Sequence, residues 1–184
     1  MLPRSVVVVT HPTVEPVTLT EARLHLRLSA DQTEDDRLIA SLISTGRALV
    51  EKRLGVSLVK RQLRATYSGT GNVLELPSPP ILLDEDHELE LTADGDAIDP
   101  AVYEVDSDSR PATVTLSTPQ ALPIVATFWA GGQPLAPQIR SAILLYVGHL
   151  FQNRELVVTD GSQPAELPFA FETLLASESV TGVY

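Results

Sequence analysis

Four histidines, His11, His25, His87 and His149, are the side chains best suited to metal or proton chemistry, and no two stand three or four residues apart. A helix turn therefore cannot bring two of them onto one metal, and the chain has no cysteine to complete a mixed site. Asp31, Thr33 and Asp35 alternate like the opening of a calcium loop, but Asp36 stands where the loop needs glycine and Leu42 where it needs its closing glutamate. That segment reads as a solvated helix entrance. The acids Asp84, Glu85, Asp86, Glu88 and Glu90 read as a wet surface. Gly131-Gly132-Gln133 matches a tripeptide used to hydrolyse peptidyl-tRNA, a reaction that needs a basic, RNA-facing setting. Here it follows an acidic region and precedes Pro134, so it reads as a turn between strand and helix. There is no G-x-S-x-G elbow, phosphate-binding loop or dinucleotide fingerprint. No catalytic residue, cofactor or metal is expected, and the chain does not read as an enzyme.

Charge narrows the partners. The net charge is −11 over 184 residues, unevenly spread: residues 1–65 carry ten Lys/Arg against seven Asp/Glu, and residues 66–184 carry three against seventeen. Such a surface repels nucleic-acid phosphates, so the chain could lie beside DNA without gripping it. Hydrophobic residues make up 43% and charged residues 20% of the chain, a composition able to build a core. No apolar run approaches the roughly 18–20 residues of a membrane span. The four valines in MLPRSVVVVTHP are too few for a signal-peptide core, which leaves the cytosol as the expected place of synthesis.

The elements follow from periodicity. Thr18 and Glu21 form a capping box after Pro16 and Val17, opening a short helix with Leu19, Ala22 and Leu26 on one face. Thr33 is the expected N-cap of a long second helix. Its stripe runs through Leu38, Ile39, Leu42, Ile43, Leu49, Val50 and Leu54, and Gly55 stops it. From Val56 to Ala130, β-rich runs at 62–67, 73–76, 87–91, 103–105, 113–116 and 124–129 alternate with turn clusters such as SGTGN and DSDSRP. These predict five or six short antiparallel strands. Phe128 and Trp129 must point to opposite faces of the last strand, which leaves Trp129 as a candidate interface anchor. Pro137 suits the first position of a third helix, striped by Ile139, Ile143, Leu144, Val147, Leu150 and Phe151. Beyond it, Gly161, Pro164 and Pro168 interrupt the pattern before an apolar cluster of Phe169, Phe171, Leu174 and Leu175, expected in a tail that docks on a partner.

The fold class is accordingly α+β. A helical core over 16–55 and 134–155 flanks an acidic β-rich insert over 56–133, with an N-terminal arm over 1–15 and an extended C-terminal tail over 156–184.

Pro16-Val17-Thr18-Leu19-Thr20-Glu21-Ala22, His25-Leu26-Arg27 and Asp35-Asp36, with the long helix ending at Gly55, together resemble the head–tail connector (adaptor) family of tailed phages. The second block is similar too: Ile139-Arg140, Ala142-Ile143-Leu144, His149-Leu150 and Asn153-Arg154-Glu155, then Leu167-Pro168 with Phe171, Leu174 and Leu175. The ending ASESVTGVY departs from the basic, aromatic ending of the family. The resemblance implies a structural subunit of a ring, about twelve copies in the family, beneath the portal of a capsid. That ring extends the DNA channel and joins the head to a stopper or tail-completion protein. The implied partners are further copies of the chain, the portal, the stopper, and double-stranded DNA passing without specific binding; no membrane is involved. The implied location is the head–tail junction of a virion, prophage particle or gene transfer agent, after assembly in the bacterial cytoplasm. Arg140, His149, Asn153 and Arg154 join Trp129 and the tail apolar residues as candidate interface positions. Without the resemblance, the residues also suit an intracellular protein- or ligand-binding module with no role in a particle.

Overall fold

The computed structural model describes residues 1–29, 31–69, 71–153 and 169–181, and the chain forms two compact units. One comprises Met1–Val14 and Gly55–Gln133; the other comprises Glu15–Leu54 and the described residues from Pro134 onward. The architecture is α+β, with antiparallel sheets in the first unit and four α-helices in the second.

The first unit is a two-sheet sandwich. Its larger sheet runs β1 (Ser5–Thr10), β2 (Arg61–Tyr67), β9 (Ile124–Ala130), β5 (Glu90–Ala93) and β6 (Asp96–Ala97), with β4 (Ile81–Leu82) also on β9. The smaller runs β3 (Val73–Leu76), β8 (Ala112–Leu116) and β7 (Tyr103–Asp106). Period-two alternation decides which side chains turn inward. Along β9, Ile124, Ala126, Phe128 and Ala130 are buried while Val125, Thr127 and Trp129 face outward. Leu63 and Ala65 lie opposite Phe128 and Ala126 in register, and Leu74, Leu76, Val114 and Leu116 come from the other sheet to the same core. Tyr67 is fully buried in it. Its hydroxyl donates to the Glu75 carbonyl at 2.8 Å, and burial pushes the phenol pKa up.

Among the described residues, six of the nine strands overlap expected runs, β5 only at Glu90 and Leu91 of the expected 87–91. The other three are β1, β4 and β6. Residues 1–15, expected as an arm, supply β1, which pairs antiparallel with β2 through Ser5–Thr66, Val7–Arg64 and Val8–Leu63. Both β4 and β6 are two-residue strands, too short to carry an alternation.

The second unit is built from α1 (Leu19–His25), α2 (Asp36–Leu54), α3 (Pro137–Gln152) and α4 (Phe169–Thr181). The α1 capping box forms as expected: the Glu21 amide donates to Thr18 Oγ1 at 3.2 Å and the Thr18 amide to Glu21 Oε2 at 2.8 Å. Pro137 occupies the first turn of α3 behind Ala136 as N-cap. The second helix opens at Asp36, later than the Thr33 cap predicts, and the Asp36 amide donates back to the Thr33 carbonyl at 3.2 Å. Its buried line is Ile39, Ile43, Gly46 and Val50, narrower than the expected stripe, with Leu38 left exposed. Opposite it, α3 buries Ile139, Ala142, Ile143 and Val147. Gly46 sets the separation of the two helices: a Cβ there would stand 3.1 Å from Tyr146 Cδ1 and 3.4 Å from Ile143 Cγ2. The low helix propensity of glycine is offset by this close approach. The fourth helix, α4, was not expected; the C-terminal reading was an extended tail.

Candidate assembly surfaces

The positions named by the second sequence block mostly hold the helical unit together. Arg140 Nη1 donates to Glu21 Oε1 at 2.6 Å, linking α3 to the start of α1. The Thr18 backbone and hydroxyl hydrogen bonds, joined by Arg140, hold the Glu21 carboxyl below its ordinary pKa. Both partners are about 40% exposed, so the pair by itself contributes at most about 1 kcal/mol. Asn153 closes α3, its amide and its side-chain Nδ2 donating to the His149 carbonyl at 3.0 and 2.7 Å. Arg154 lies outside the described residues.

A stronger polar cluster lies deeper. Arg47 on α2 donates to Glu15 Oε2 at 2.7 Å and to Glu51 Oε2 at 2.8 Å, and the Glu51 side chain is only 5% exposed. Burial opposes the charge on Arg47, but the Glu15 hydrogen bond and the nearby Glu51 outweigh it and keep the guanidinium pKa raised. Removing the cation takes the charged Arg47 partner away from the buried Glu51 carboxylate. Arg47→Met is therefore expected to lower stability by about 2 kcal/mol, below the usual cost for a fully buried pair because Glu15 is a third exposed. Urea unfolding checks this, and adding Glu51→Gln should recover part of the loss.

The tail apolar residues do not project freely. Phe171 is fully buried and Leu175 nearly so, with Phe171 stacked at a tilt on Tyr146 of α3, ring centroids 6.0 Å apart. Leu174 is half-buried. Arg53 on α2 pairs with Glu172 at 3.1 Å across an exposed contact. Residues expected to wait for a partner are thus largely covered by the chain's own helices, because α4 packs on α3 within the same unit. Phe169 opens α4, while Leu167 and Pro168 lie outside the described residues.

In the sandwich, Phe128 is fully buried and Trp129 is half-buried on the outer face. Lys60 Nζ sits 5.7 Å from the Trp129 ring centroid, and His87 meets the ring edge-on at 5.3 Å. His87 Nδ1 lies 2.6 Å from Asp84 Oδ1, and that contact leads the causes that hold the Asp84 pKa down. Beside this pair is an open groove of about 440 Å³ between the 83–89 segment and β7. Among the described residues, no group of three or more His, Cys, Asp or Glu is placed to hold a metal ion. Nor does any described helix have the length and apolarity to cross a membrane.

The glycine pair has a backbone role. Gly131 and Gly132 both have φ of +85°, and a Cβ on Gly131 would fall 2.3 Å from the Val59 carbonyl oxygen. The Gly131 amide donates to the Pro80 carbonyl at 2.9 Å. Two adjacent left-handed residues turn the chain out of β9, which accounts for both glycines without catalysis.

The surface that sequence reasoning missed is β1. All six residues are exposed, and Val6 to Val9 retain between 36% and 52% of their accessible area. Four successive β-branched residues were the available signal. A strand buried on one face shows alternation, and one apolar on both sides at a sheet edge signals a further contact.

No protein-family model and no curated protein sequence matches the chain. Solved structures do. A chain in the neck of an empty gene transfer agent particle, computed with C6 symmetry, aligns with a TM-score of 0.73 at 20% identity, covering 94% of each chain. A chain in the virion of the native particle aligns with a TM-score of 0.71 at 19% identity, over 94% of this chain and 93% of that one. A chain in the native neck, computed with C12 symmetry, gives 0.68 at 18% identity, again over 94% and 93%. The likeness spans the sandwich and the helical unit together, and it is one of fold, in keeping with the connector resemblance of the two helical blocks.

Proposed function

We propose that this chain is a structural subunit of the head–tail neck of a phage-like particle. In this reading, copies form a ring beneath the portal, extend the DNA channel, and offer the surface to which a stopper or the tail attaches. The observation that carries it is the fold likeness to gene transfer agent neck chains over nearly the whole length of both. The sequence adds the order and spacing of the two helical blocks, and the net charge of −11 suits a channel wall past which DNA slides without sticking.

A ring with cyclic symmetry needs two different surfaces on each subunit, one meeting the other on the next copy. Sedimentation of native particles followed by mass spectrometry tests the reading. The expected result is migration with portal and tail proteins at about one copy per portal subunit. Recovery only in free, low-mass fractions would return the chain to the class of binding modules that share this fold.

A further inference from the structure

We infer that β1 of one copy docks against the β7 flank of a second copy, with its valines seated in the groove between β7 and the 83–89 segment. The inference rests on the ring reading and names the contact that would close the ring.

Three observations carry it. First, β1 is the outer strand of the larger sheet, with β2 as its sole strand neighbour among the described residues. Its side chains alternate between the two faces; Val6 and Val8 retain 41% and 36% of their accessible area and Val7 and Val9 retain 52% and 41%, so both faces stay partly open. A long apolar edge of this kind is a template for pairing unless it is already occupied in the working assembly.

Second, the opposite flank of the same sandwich offers a matching acceptor. Backbone hydrogen bonds of Met1 with Val73 and Glu75 place β3 on the β1 side and cap the β3 edge. The Tyr103 hydroxyl donates to the Leu89 carbonyl at 3.4 Å, which places β7 on the β5 side. The outer edge of β7 has no strand neighbour among the described residues. Next to it, Leu83, Leu89, Tyr103 and Val105 line the groove of about 440 Å³.

Third, the charges complement each other. Arg4 and Arg64, both exposed, flank the valines of β1. Asp84 and Glu88 rim the groove, and Glu104 and Asp106 are exposed on β7. A basic-flanked apolar strand therefore faces an acid-rimmed apolar groove on the far side of an identical copy. Two complementary surfaces on opposite flanks give a heterologous contact, the kind a cyclic ring requires.

The absence of cysteine allows a direct test. Full-length Val7→Cys and Glu88→Cys chains, both substituted at exposed positions, are mixed in whichever state the wild type is oligomeric, free or particle-bound. A short bis-maleimide is then added. The expected product is a covalent dimer containing one chain of each kind, formed only in the mixture. A Val7→Glu/Val9→Glu variant should keep the wild-type circular dichroism and melting temperature. It should need at least about tenfold higher concentration to assemble, since two carboxylates would meet an acidic rim. Wild-type rings that give no such cross-link, or that the double variant forms at wild-type concentration, overturn the β1 contact and leave the ring reading standing. A cross-link from Val7→Cys alone points to two-fold pairing and also overturns it. A wild type that is monomeric both in solution and in particle fractions overturns both.

Discussion

Replacing Gly131 by alanine is expected to destabilise the sandwich unit by about 4 kcal/mol. Two costs add. Alanine in the left-handed region is disfavoured by about 1–2 kcal/mol. The new Cβ would also meet the Val59 carbonyl at 2.3 Å and its carbon at 2.7 Å, both backbone atoms that cannot swing aside. Relief requires moving the 57–60 segment, where Ser57, Leu58 and Val59 are buried. Relative to a typical domain stability of about 5–15 kcal/mol, this leaves a protein with a much reduced denaturation midpoint. Gln133→Ala, at an exposed position in the same tripeptide, should leave the midpoint unchanged. Urea titration of the two variants checks both. Equal losses would mean that the tripeptide carries something other than a backbone turn.

Phe171→Ala is expected to cost about 3 kcal/mol and to release α4 from α3. The ring is fully buried against Tyr146, whereas the accompanying Arg53–Glu172 pair is about half exposed and adds little. A detached helix of 13 residues is marginal in water, so amides of 169–181 should exchange as an unfolded segment does while those of α2 and α3 keep their protection. Hydrogen exchange followed by mass spectrometry reads this directly. The outcome separates two roles for the C-terminal apolar residues. If Phe171 is an anchor reserved for a partner, its truncation leaves exchange in the free chain unaltered and weakens particle assembly alone. The observed burial predicts the opposite order: loss of α4 docking first, and any assembly defect as its consequence.

Much of the helical unit was legible because its signals are local. The Thr18–Glu21 box spans three residues, Pro137 marks its own helix start, and the α2 and α3 stripes repeat every three or four residues. Strands β3 and β9 were legible for the same reason, since period-two alternation is written within a single strand. The start of α2 was misplaced because Thr33 offers a capping oxygen, yet the helix opens only at Asp36. The fourth helix was missed because Pro164 and Pro168 break the pattern before it and its apolar face is short. No sequence-local signal could pair Arg140 with Glu21 across 119 positions, or Arg47 with Glu15 across 32.

The sequence by itself determined the α+β class, the capped and striped helices, most strand positions, and a net charge of −11. Those properties reside in spacings of two to four residues and in summed charge, which exist before the chain folds. Only the tertiary structure decided that residues 5–10 form the outer strand of a sheet and that Phe171 is covered from within. It alone placed an apolar edge and an acid-rimmed groove on opposite flanks of one sandwich. The reason is that burial and edge position are properties of pairing between distant segments: four valines read the same in sequence whether a second sheet covers them or leaves them bare.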